Sequence, residues 1–320
     1  MEEENVLTLR PQRLDEYIGQ EHLKEKLKIY IGAARAREEP LDHVLFYGPP
    51  GLGKTSLAYV IANEMGAKLH LISGPSIEKP GDLAAILSEL EPLDILFIDE
   101  IHRIPRIVEE SLYSAMEDFT FNIIINNEQT SKTITIHLPP FTLIGATTRP
   151  GSLSSPLRER FGIIEKINFY TIEELTNIVL RASKVFDINI DFNAAQIIAE
   201  RSRCTPRICI QFFKRIRDFS TFKMNKNVSK NDVIKMFKLL KVNDIGLNQD
   251  DIDYIRMVSE RFNGGPVGIN TLAYALGNEV HNIENVVEPF LLQKGLIEKT
   301  QKGRILTEKG KEMAIIFENR

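Results

Sequence analysis

The stretch Gly48-Pro-Pro-Gly-Leu-Gly-Lys-Thr55 decides the fold class of this 320-residue chain. It follows the apolar stretch His43-Val-Leu-Phe-Tyr47, which is typical of a buried strand, and it opens a helical stretch that extends to about Met65. Glycines let several backbone N–H groups point at one anion, and the helix N-terminus adds its positive dipole end. The pattern G-x-x-x-x-G-K-[ST] in this context predicts a phosphate-binding loop in an α/β domain.

Working outward from this loop, apolar strands are predicted at 69–73, 94–98 and 141–146, with helical stretches between them. This alternation indicates a parallel sheet with helices on both faces. A helix over 20–37 is expected to turn one apolar face to the core, made of Leu23, Leu27, Tyr30 and Ile31. We therefore assign 1–170 to an α/β nucleotide-binding domain.

After residue 170 the strand pattern stops. Thr171 and Glu174 have capping-box spacing, and Thr205-Pro206 places proline at the start of a further helix. Residues 171–241 are therefore predicted to form a small all-helical domain. Residues 242–320 have a winged-helix outline, with two short helices followed by a two-stranded wing that turns at Lys302-Gly303. Pro289 is expected to kink the second of these helices or to delay its start.

Carboxylates and hydroxyls follow the later strands of the α/β domain. Lys54 is expected to reach the β- and γ-phosphates of ATP, and the Thr55 hydroxyl to bind Mg²⁺. Asp99 and Glu100 end an apolar strand, where Asp99 would contact the Mg²⁺ shell and Glu100 would act as general base. Thr147 ends the next strand and is either a γ-phosphate sensor or a helix cap, and its neighbour Thr148 is an equal candidate for the sensor.

Two arginines are candidates for the nucleotide site. Arg160 lies near a glycine turn at the end of the α/β domain, where it forms either a surface salt bridge or an arginine finger for a neighbouring subunit. Arg207 begins a helix of the second domain and could meet the phosphates from there.

A hairpin is predicted over 119–138, because two apolar stretches flank a polar segment. Ile123 and Ile125 share one face of the first strand. The apolar middle of this hairpin either packs on its own domain or docks another protein.

Basic residues cluster on the predicted wing. Lys299, Lys302 and Arg304 are expected to contact DNA phosphates, a mode of binding without sequence readout. The formal net charge of -4 argues against a protein that coats nucleic acid over its whole surface. The acidic start Met1-Glu-Glu-Glu4 does not resemble a signal sequence, and Cys204 and Cys209 have no neighbouring histidine. These features predict a cytoplasmic protein with no membrane association.

Taken together, these motifs resemble the RuvB family of Holliday-junction branch-migration motors, which belong to the AAA+ class. The resemblance extends from about Leu9 to Lys309. It rests on Asp42-His43, on Gly48 to Thr55, on Leu96 to Arg103, on Ala115 to Asp118, on Leu138 to Arg149, on Ser155 to Phe161 and on Gly264 to Gly268.

The resemblance implies a hexameric ring that encircles duplex DNA and migrates four-way junctions with ATP and Mg²⁺. It also implies a RuvA-type partner that docks on the hairpin and a RuvC-type resolvase in the same complex. Residues that match family positions near the nucleotide are Leu9, Arg10, Gly48, Gly51, Leu52, Gly53, Ser56, Asp118, Phe119, Thr120 and Tyr170. Two positions depart from the family pattern: Ser56 replaces a commoner threonine, and the wing has lysines where the family has more arginine.

Two other functions remain open at the level of sequence. One is a clamp-loader-like switch, in which ATP controls the opening of a partner ring without net translocation. The other is an ATP-regulated transcription factor that binds specific sequences through the winged helix. The hairpin and the basic wing favour the DNA motor over the first, and the lack of a separate sensor domain disfavours the second.

Overall fold

The computed structural model describes residues 9–127, 130–224 and 226–318; it does not describe the side chains of 123–133. Within it, the first compact unit extends to Phe186 and includes Thr205–Ile208. The second unit comprises Asp187–Cys204 and the chain from Cys209 onward. None of the helices in the described ranges is long and apolar enough to cross a membrane.

A five-stranded parallel sheet forms the centre of the first unit, in the order β2-β3-β6-β1-β7. Its strands are β1 (Val44–Tyr47), β2 (Leu69–Ser73), β3 (Ile95–Asp99), β6 (Thr142–Thr147) and β7 (Ile163–Lys166). Because every side chain of β3 from Ile95 to Ile98 is at most 1% exposed, both faces of the sheet are covered. The predicted α/β fold class is confirmed.

The helices of this unit cover the sheet. They are α1 (Glu21–Arg37), α2 (Lys54–Met65), α3 (Pro80–Leu87), α4 (Arg106–Glu117), α5 (Ser155–Glu159) and α6 (Ile172–Val185). The face of α1 was predicted with one error. Leu23, Leu27 and Ile31 are buried, but the fourth core position is Ala34, and Tyr30 is 39% exposed.

The hairpin is formed by β4 (Thr120–Asn127) and β5 (Thr130–His137), which pair in antiparallel register. It begins three residues after α4 ends at Glu117, so the helix and the hairpin are one continuous piece of chain. Its base is fixed to the domain, because Phe121 is fully buried and the Leu138 amide donates to the Phe119 carbonyl at 2.8 Å.

The second unit contains helices and short strands. They are α7 (Phe192–Glu200), α8 (Pro206–Phe222), α9 (Lys230–Leu239), α10 (Gln249–Phe262), α11 (Ile269–Leu276), α12 (Val280–Asn282), α13 (Glu288–Gln293) and α14 (Glu308–Glu318), with β8 (Asn189–Ile190), β9 (Asn227–Val228), β10 (Ile297–Thr300) and β11 (Gly303–Leu306). The start of α8, up to Ile208, belongs to the first unit. The parallel pair β8–β9 was not predicted from sequence. The capping box of Thr171 at α6 and the helix start at Pro206 were predicted correctly.

A π-helical turn, Ile283–Val287, connects α12 to α13. Pro289 follows this turn in the first turn of α13. Because a proline ring collides with the carbonyl four residues earlier in a regular α-helix, the wider π-turn gives it room. The predicted disturbance at Pro289 is therefore present as a π-turn inside a continuing helix.

An ion pair within the second unit joins the segment before α8 to α10. Arg203 binds the fully buried carboxylate of Asp251, and its guanidinium also lies 4.8 Å from the ring centre of Phe290. Asp251 also accepts a hydrogen bond from the Asn248 amide and so caps α10. Burial raises the pKa of Asp251 to about 6, in spite of Arg203. Such a pair fixes geometry more than it adds stability.

Candidate functional site

The glycine-rich loop lies at the carboxyl end of β1 and leads into α2. Gly51 and Gly53 have φ values of 81° and 94°, which favour glycine. A Cβ on Gly53 would lie 2.6 Å from the Tyr17 hydroxyl, and one on Gly51 would lie 3.0 Å from Arg207 Cβ. The loop therefore needs glycine both for its backbone conformation and for the close approach of two side chains.

Lys54 is buried at the start of α2. Its Nζ donates hydrogen bonds to the carbonyls of Gly48 at 2.8 Å and Pro49 at 2.9 Å. Burial lowers the pKa of this ammonium to about 8, while Asp99 and Glu100 act in the opposite direction. The lysine thus lies inside the loop with its charge directed toward the loop's own oxygens.

Two tyrosines pack on the loop from outside its sequence. Tyr170 donates a hydrogen bond to the Tyr17 hydroxyl at 3.0 Å, and both hydroxyls lie 3.4 Å from the Leu52 carbonyl oxygen. Burial raises the pKa of Tyr170 to about 12, so both groups remain neutral hydrogen-bond donors. Sequence reasoning named Tyr170 from the family resemblance but missed Tyr17, which no local motif marks.

The sheet order brings the predicted catalytic groups to one edge. β3, β6 and β1 are neighbours, so Asp99, Thr147 and the loop after β1 all lie at the carboxyl ends of adjacent parallel strands. Ligands bind at this edge of open α/β sheets. Glu100 follows Asp99 with a φ of 53°, and its amide donates to the Asp99 carboxylate at 3.0 Å.

His102 connects the ends of β3 and β6. Its Nδ1 lies 2.9 Å from the Thr147 hydroxyl, and its Nε2 lies 3.5 Å from a carboxylate oxygen of Glu100. Burial lowers the pKa of His102, which favours the neutral ring. The Thr147 hydroxyl also accepts a hydrogen bond from the Arg149 amide at 3.0 Å, a helix-cap-like contact. Thr147, rather than Thr148, is thereby placed in contact with the group next to Glu100.

The residues at this edge fit a nucleotide with a divalent cation. The loop offers backbone donors at a helix N-terminus, and Lys54 supplies a buried positive charge. Thr55 in the first turn of α2 and Asp99 at the end of β3 supply the hard oxygen ligands that Mg²⁺ prefers. The donor set is thus suited to a magnesium–nucleotide complex.

Other predicted nucleotide residues lie around α2 and the loop. The Arg10 guanidinium lies 4.5 Å from the ring centre of Tyr59 on α2, and Leu9 precedes it. The Arg207 amide donates to the Gly51 carbonyl at 3.2 Å, and the positive charge of Arg207 contributes to the lowered pKa of Lys54. Arg207 is thus held directly against the phosphate-binding loop.

Arg160 lies at the C-terminal end of α5, apart from these contacts. Its guanidinium donates to Glu117 at 3.0 Å and to the Pro156 carbonyl at 2.8 Å, and it lies 4.5 Å from the ring centre of Tyr113. The stretch Asp118–Phe119–Thr120 directly follows Glu117, so it belongs to the same part of the domain as Arg160. Of the two alternatives that the sequence left open, the structure shows the salt bridge, and the arginine finger stays a prediction.

The predicted hairpin lies partly outside the described side chains. The backbone pairs Ile123 with Ile134 and Ile125 with Lys132, which confirms the predicted antiparallel hairpin. The side chains of Ile123 and Ile125 lie outside the described residues. Ile134, across from Ile123, is 42% exposed. Docking through this hairpin therefore stays a prediction.

On the wing, the structure gives Arg304 partners within its own unit. Its guanidinium donates to Glu288 at 2.9 Å and to Glu284 at 2.9 Å, and its side chain is 14% exposed. The register of β10 and β11 turns this residue toward α13, where Glu288 is fully buried. Arg304 is therefore bound to carboxylates of its own unit, which argues against the expected contact with DNA phosphates.

The two wing lysines differ from Arg304. Lys299 pairs with Glu288 at 2.6 Å but keeps 40% of its side chain exposed. Lys302 lies in the exposed turn between β10 and β11, where its amide donates to the Thr300 hydroxyl at 3.2 Å. Of the three predicted contacts, Lys302 is the one that the fold places at the tip of the wing.

The fold and the site define a P-loop ATPase of the AAA+ class that carries a winged-helix unit. Three family models match in succession: the Holliday junction DNA helicase RuvB P-loop domain over 9–167, the RuvB AAA lid domain over 170–243 and the RuvB C-terminal winged helix domain over 244–314. The chain belongs to the RuvB family.

Relatives along the whole chain agree with this assignment. The Holliday junction branch migration complex subunit RuvB of Lactobacillus johnsonii is 55% identical over 96% of this chain and 91% of that protein. The subunit of the same name from Acholeplasma laidlawii is 53% identical over 96% and 91%. The solved Thermotoga maritima RuvB Holliday junction branch migration motor is 49% identical, covers 96% of this chain and 98% of that one, and superposes with a TM-score of 0.86.

Proposed function

We propose that this chain is an ATP-driven DNA translocase that promotes branch migration of Holliday junctions. One observation carries the proposal: a nucleotide site on a parallel sheet and a winged-helix unit occur in one chain that matches RuvB models from residue 9 to 314. The three matched ranges support the predicted domains at 1–170, 171–241 and 242–320. As a DNA-acting motor, the protein would work in the cytoplasm.

In the proposed reaction, Mg²⁺ held by Thr55 and Asp99 would neutralise charge on the phosphates. Lys54 and the loop amides bind the phosphates, with Gly48, Gly51, Leu52, Gly53 and Ser56 shaping the loop. Glu100 accepts a proton from the attacking water, and Thr147 reports the γ-phosphate to Glu100 through His102. Leu9 and Arg10 would complete the binding site from the chain before α1, and Tyr170 and Arg207 from the chain after β7.

Arg160 would serve the nucleotide of a neighbouring subunit in a homohexameric ring around duplex DNA. Its location apart from the P-loop contacts supports this role, since a finger that acts in trans does not contact the P-loop of its own subunit. Asp118, Phe119 and Thr120 would approach the same neighbouring nucleotide. The hairpin, through Ile123 and Ile125, would dock a RuvA-type junction-binding protein, and a RuvC-type resolvase would join the complex.

A junction-dissociation assay tests this function. We expect the chain with a RuvA-type partner to separate a synthetic four-way junction in the presence of ATP and Mg²⁺, whatever the arm sequence. The Glu100→Gln variant serves as the control, because it should assemble but not move DNA. Junctions that stay intact while ATP turnover is brisk would favour the clamp-loader-like switch, and dependence on one DNA sequence would favour the transcription factor.

DNA contact through the wing gives a separate prediction. Replacing Lys299 and Lys302 with alanine should lower the slope of log affinity against log salt by about 1.8, since each phosphate contact contributes about 0.9. The matched variant Arg304→Ala should leave that slope unchanged. Because it removes one of the two cations that pair with the buried Glu288, it should instead lower the free energy of unfolding, by about 3 kcal/mol at most.

Salt titrations of duplex binding and denaturant unfolding measure the two effects. A reduced salt slope in Arg304→Ala, with an unchanged free energy of unfolding, would show that Arg304 contacts DNA. An unchanged slope in the double lysine variant would place the DNA contact elsewhere on the protein.

A further inference from the structure

One face of α4 carries three polar residues at regular spacing. Glu109, Tyr113 and Glu117 lie four residues apart, so they follow one another along the same side of the helix. All three contact the segment from Ser154 to Arg160, which contains α5. This face of α4, which we call the α4 platform, therefore holds both ends of the short helix that carries Arg160.

At the first end, the platform fixes the start of α5. Ser154 is the N-cap of α5 and accepts a hydrogen bond from the Leu157 amide at 3.2 Å. The same hydroxyl donates to the buried carboxylate of Glu109, and Tyr113 donates to that carboxylate at 3.1 Å. Tyr113 and Ser154 are also 3.0 Å apart. Each hydroxyl has one proton and donates it to Glu109, and the cap held by this carboxylate gives α5 a defined starting position.

At the second end, the platform holds the guanidinium of Arg160. The ring face of Tyr113 lies below it at 4.5 Å, Glu117 binds one terminal nitrogen at 3.0 Å, and the Pro156 carbonyl binds the other. The Arg160 side chain is 21% exposed. An exposed arginine would populate many rotamers, and ordering it would cost conformational entropy. In this chain the contacts with Tyr113, Glu117 and Pro156 order the Arg160 side chain within its own subunit.

The Arg160 guanidinium is held in place but not all of its hydrogen-bond donors are used. Its Nε is buried and has no hydrogen-bond acceptor. The Glu117 side chain is 54% exposed, and exposed ion pairs of this kind are weak. These contacts use two of the five N–H donors of the guanidinium, so it can donate to a further anion while Tyr113 and Glu117 hold it in place.

We propose that the α4 platform positions Arg160 for its role in nucleotide hydrolysis, with Tyr113 and Glu117 as positioning residues. The inference rests on the proposed function, in which Arg160 reaches the nucleotide of a neighbouring subunit. Tyr113 supplies the surface that orients the guanidinium, and Glu117 supplies a carboxylate that keeps one terminal nitrogen in place. Neither residue touches the reacting atoms.

The test compares Tyr113→Leu with the matched variant Tyr113→Phe in assembled rings of the full chain. Leucine removes the ring face, and phenylalanine keeps it while losing the hydroxyl. We expect kcat for ATP to fall about tenfold in Tyr113→Leu, since small displacements of a positioned group are costly. We expect KM to stay within about twofold, and Tyr113→Phe to keep at least about half of kcat, because the cation–π contact remains.

Glu117→Gln provides a second variant that changes one exposed carboxylate and leaves the buried contacts alone. We expect a fall in kcat of about threefold, in keeping with the weak coupling of an exposed pair. Thermal unfolding and sedimentation of each variant establish that the chain folds and assembles. Should Tyr113→Leu fail to fold, Glu117→Gln alone decides the question.

Combination with Arg160→Ala separates positioning from general structure. In that background, Tyr113→Leu and Glu117→Gln should cause no further loss in single-turnover hydrolysis, because the group they position has gone. An equal loss in both backgrounds would overturn the platform. If Arg160→Ala hydrolyses ATP slowly while Tyr113→Leu and Glu117→Gln hydrolyse it at the normal rate, the platform alone is overturned. If Arg160→Ala hydrolyses ATP at the normal rate, both the trans role of Arg160 and the platform are overturned.

Discussion

Replacing Glu100 with glutamine is expected to lower ATP turnover by about 10²–10⁴-fold while ATP binding persists. The carboxylate follows β3, which is separated from β1, the strand that leads into the loop, by β6. It lies next to His102, and the amide of glutamine cannot accept the proton of the attacking water. Phosphate release measures turnover, and the anisotropy of a labelled nucleotide measures binding.

Lys54→Ala is the matched variant for this experiment, because it removes the buried charge of the loop and should abolish ATP binding itself. The two variants therefore separate binding from chemistry. Near-normal turnover in Glu100→Gln would remove Glu100 as general base and leave Asp99 as the remaining carboxylate at that edge.

Arg160→Ala is expected to bind ATP normally and to hydrolyse it about 10³–10⁵-fold more slowly. The loop contacts of Lys54 are unaffected by the change, so the loss should appear in kcat and not in binding. Mixed rings with Lys54→Ala subunits should regain part of the turnover, because each variant keeps the half of the site that the other lacks.

Co-assembly of the mixed rings is checked by mass spectrometry of the intact complexes. Mixed rings that remain as slow as the separate variants would contradict the trans assignment. Recovery in proportion to the number of mixed interfaces would support it quantitatively.

Much of the nucleotide site could be predicted from sequence because its parts are local. The phosphate-binding loop, the carboxylates after β3 and the threonine after β6 each follow an apolar strand, and parallel pairing then brings strand ends together. The capping box at Thr171 and the turn of the wing are likewise set by neighbouring residues.

The errors and omissions concern contacts between distant residues. Arg304 was expected to contact DNA, but its direction depends on strand register and on Glu288, 16 positions earlier. Tyr17 meets the loop 35 positions away. Tyr30 was assigned to the core because the helical spacing allows either Tyr30 or Ala34 beside Leu23, Leu27 and Ile31. Tertiary packing buries Ala34. None of these contacts can be predicted from a local sequence pattern.

The spacing of the three residues of the α4 platform restricts the length of this helix. An α-helix turns by about 100° per residue, so one inserted or deleted residue between Glu109 and Glu117 would rotate one end of the platform away from α5. The same change would also turn the hairpin, because β4 begins three residues after the helix ends. A length change of seven residues would nearly restore the phase but would move the hairpin along the helix axis by about 10 Å. We therefore expect α4 to accept substitutions on its outer face while its length stays fixed.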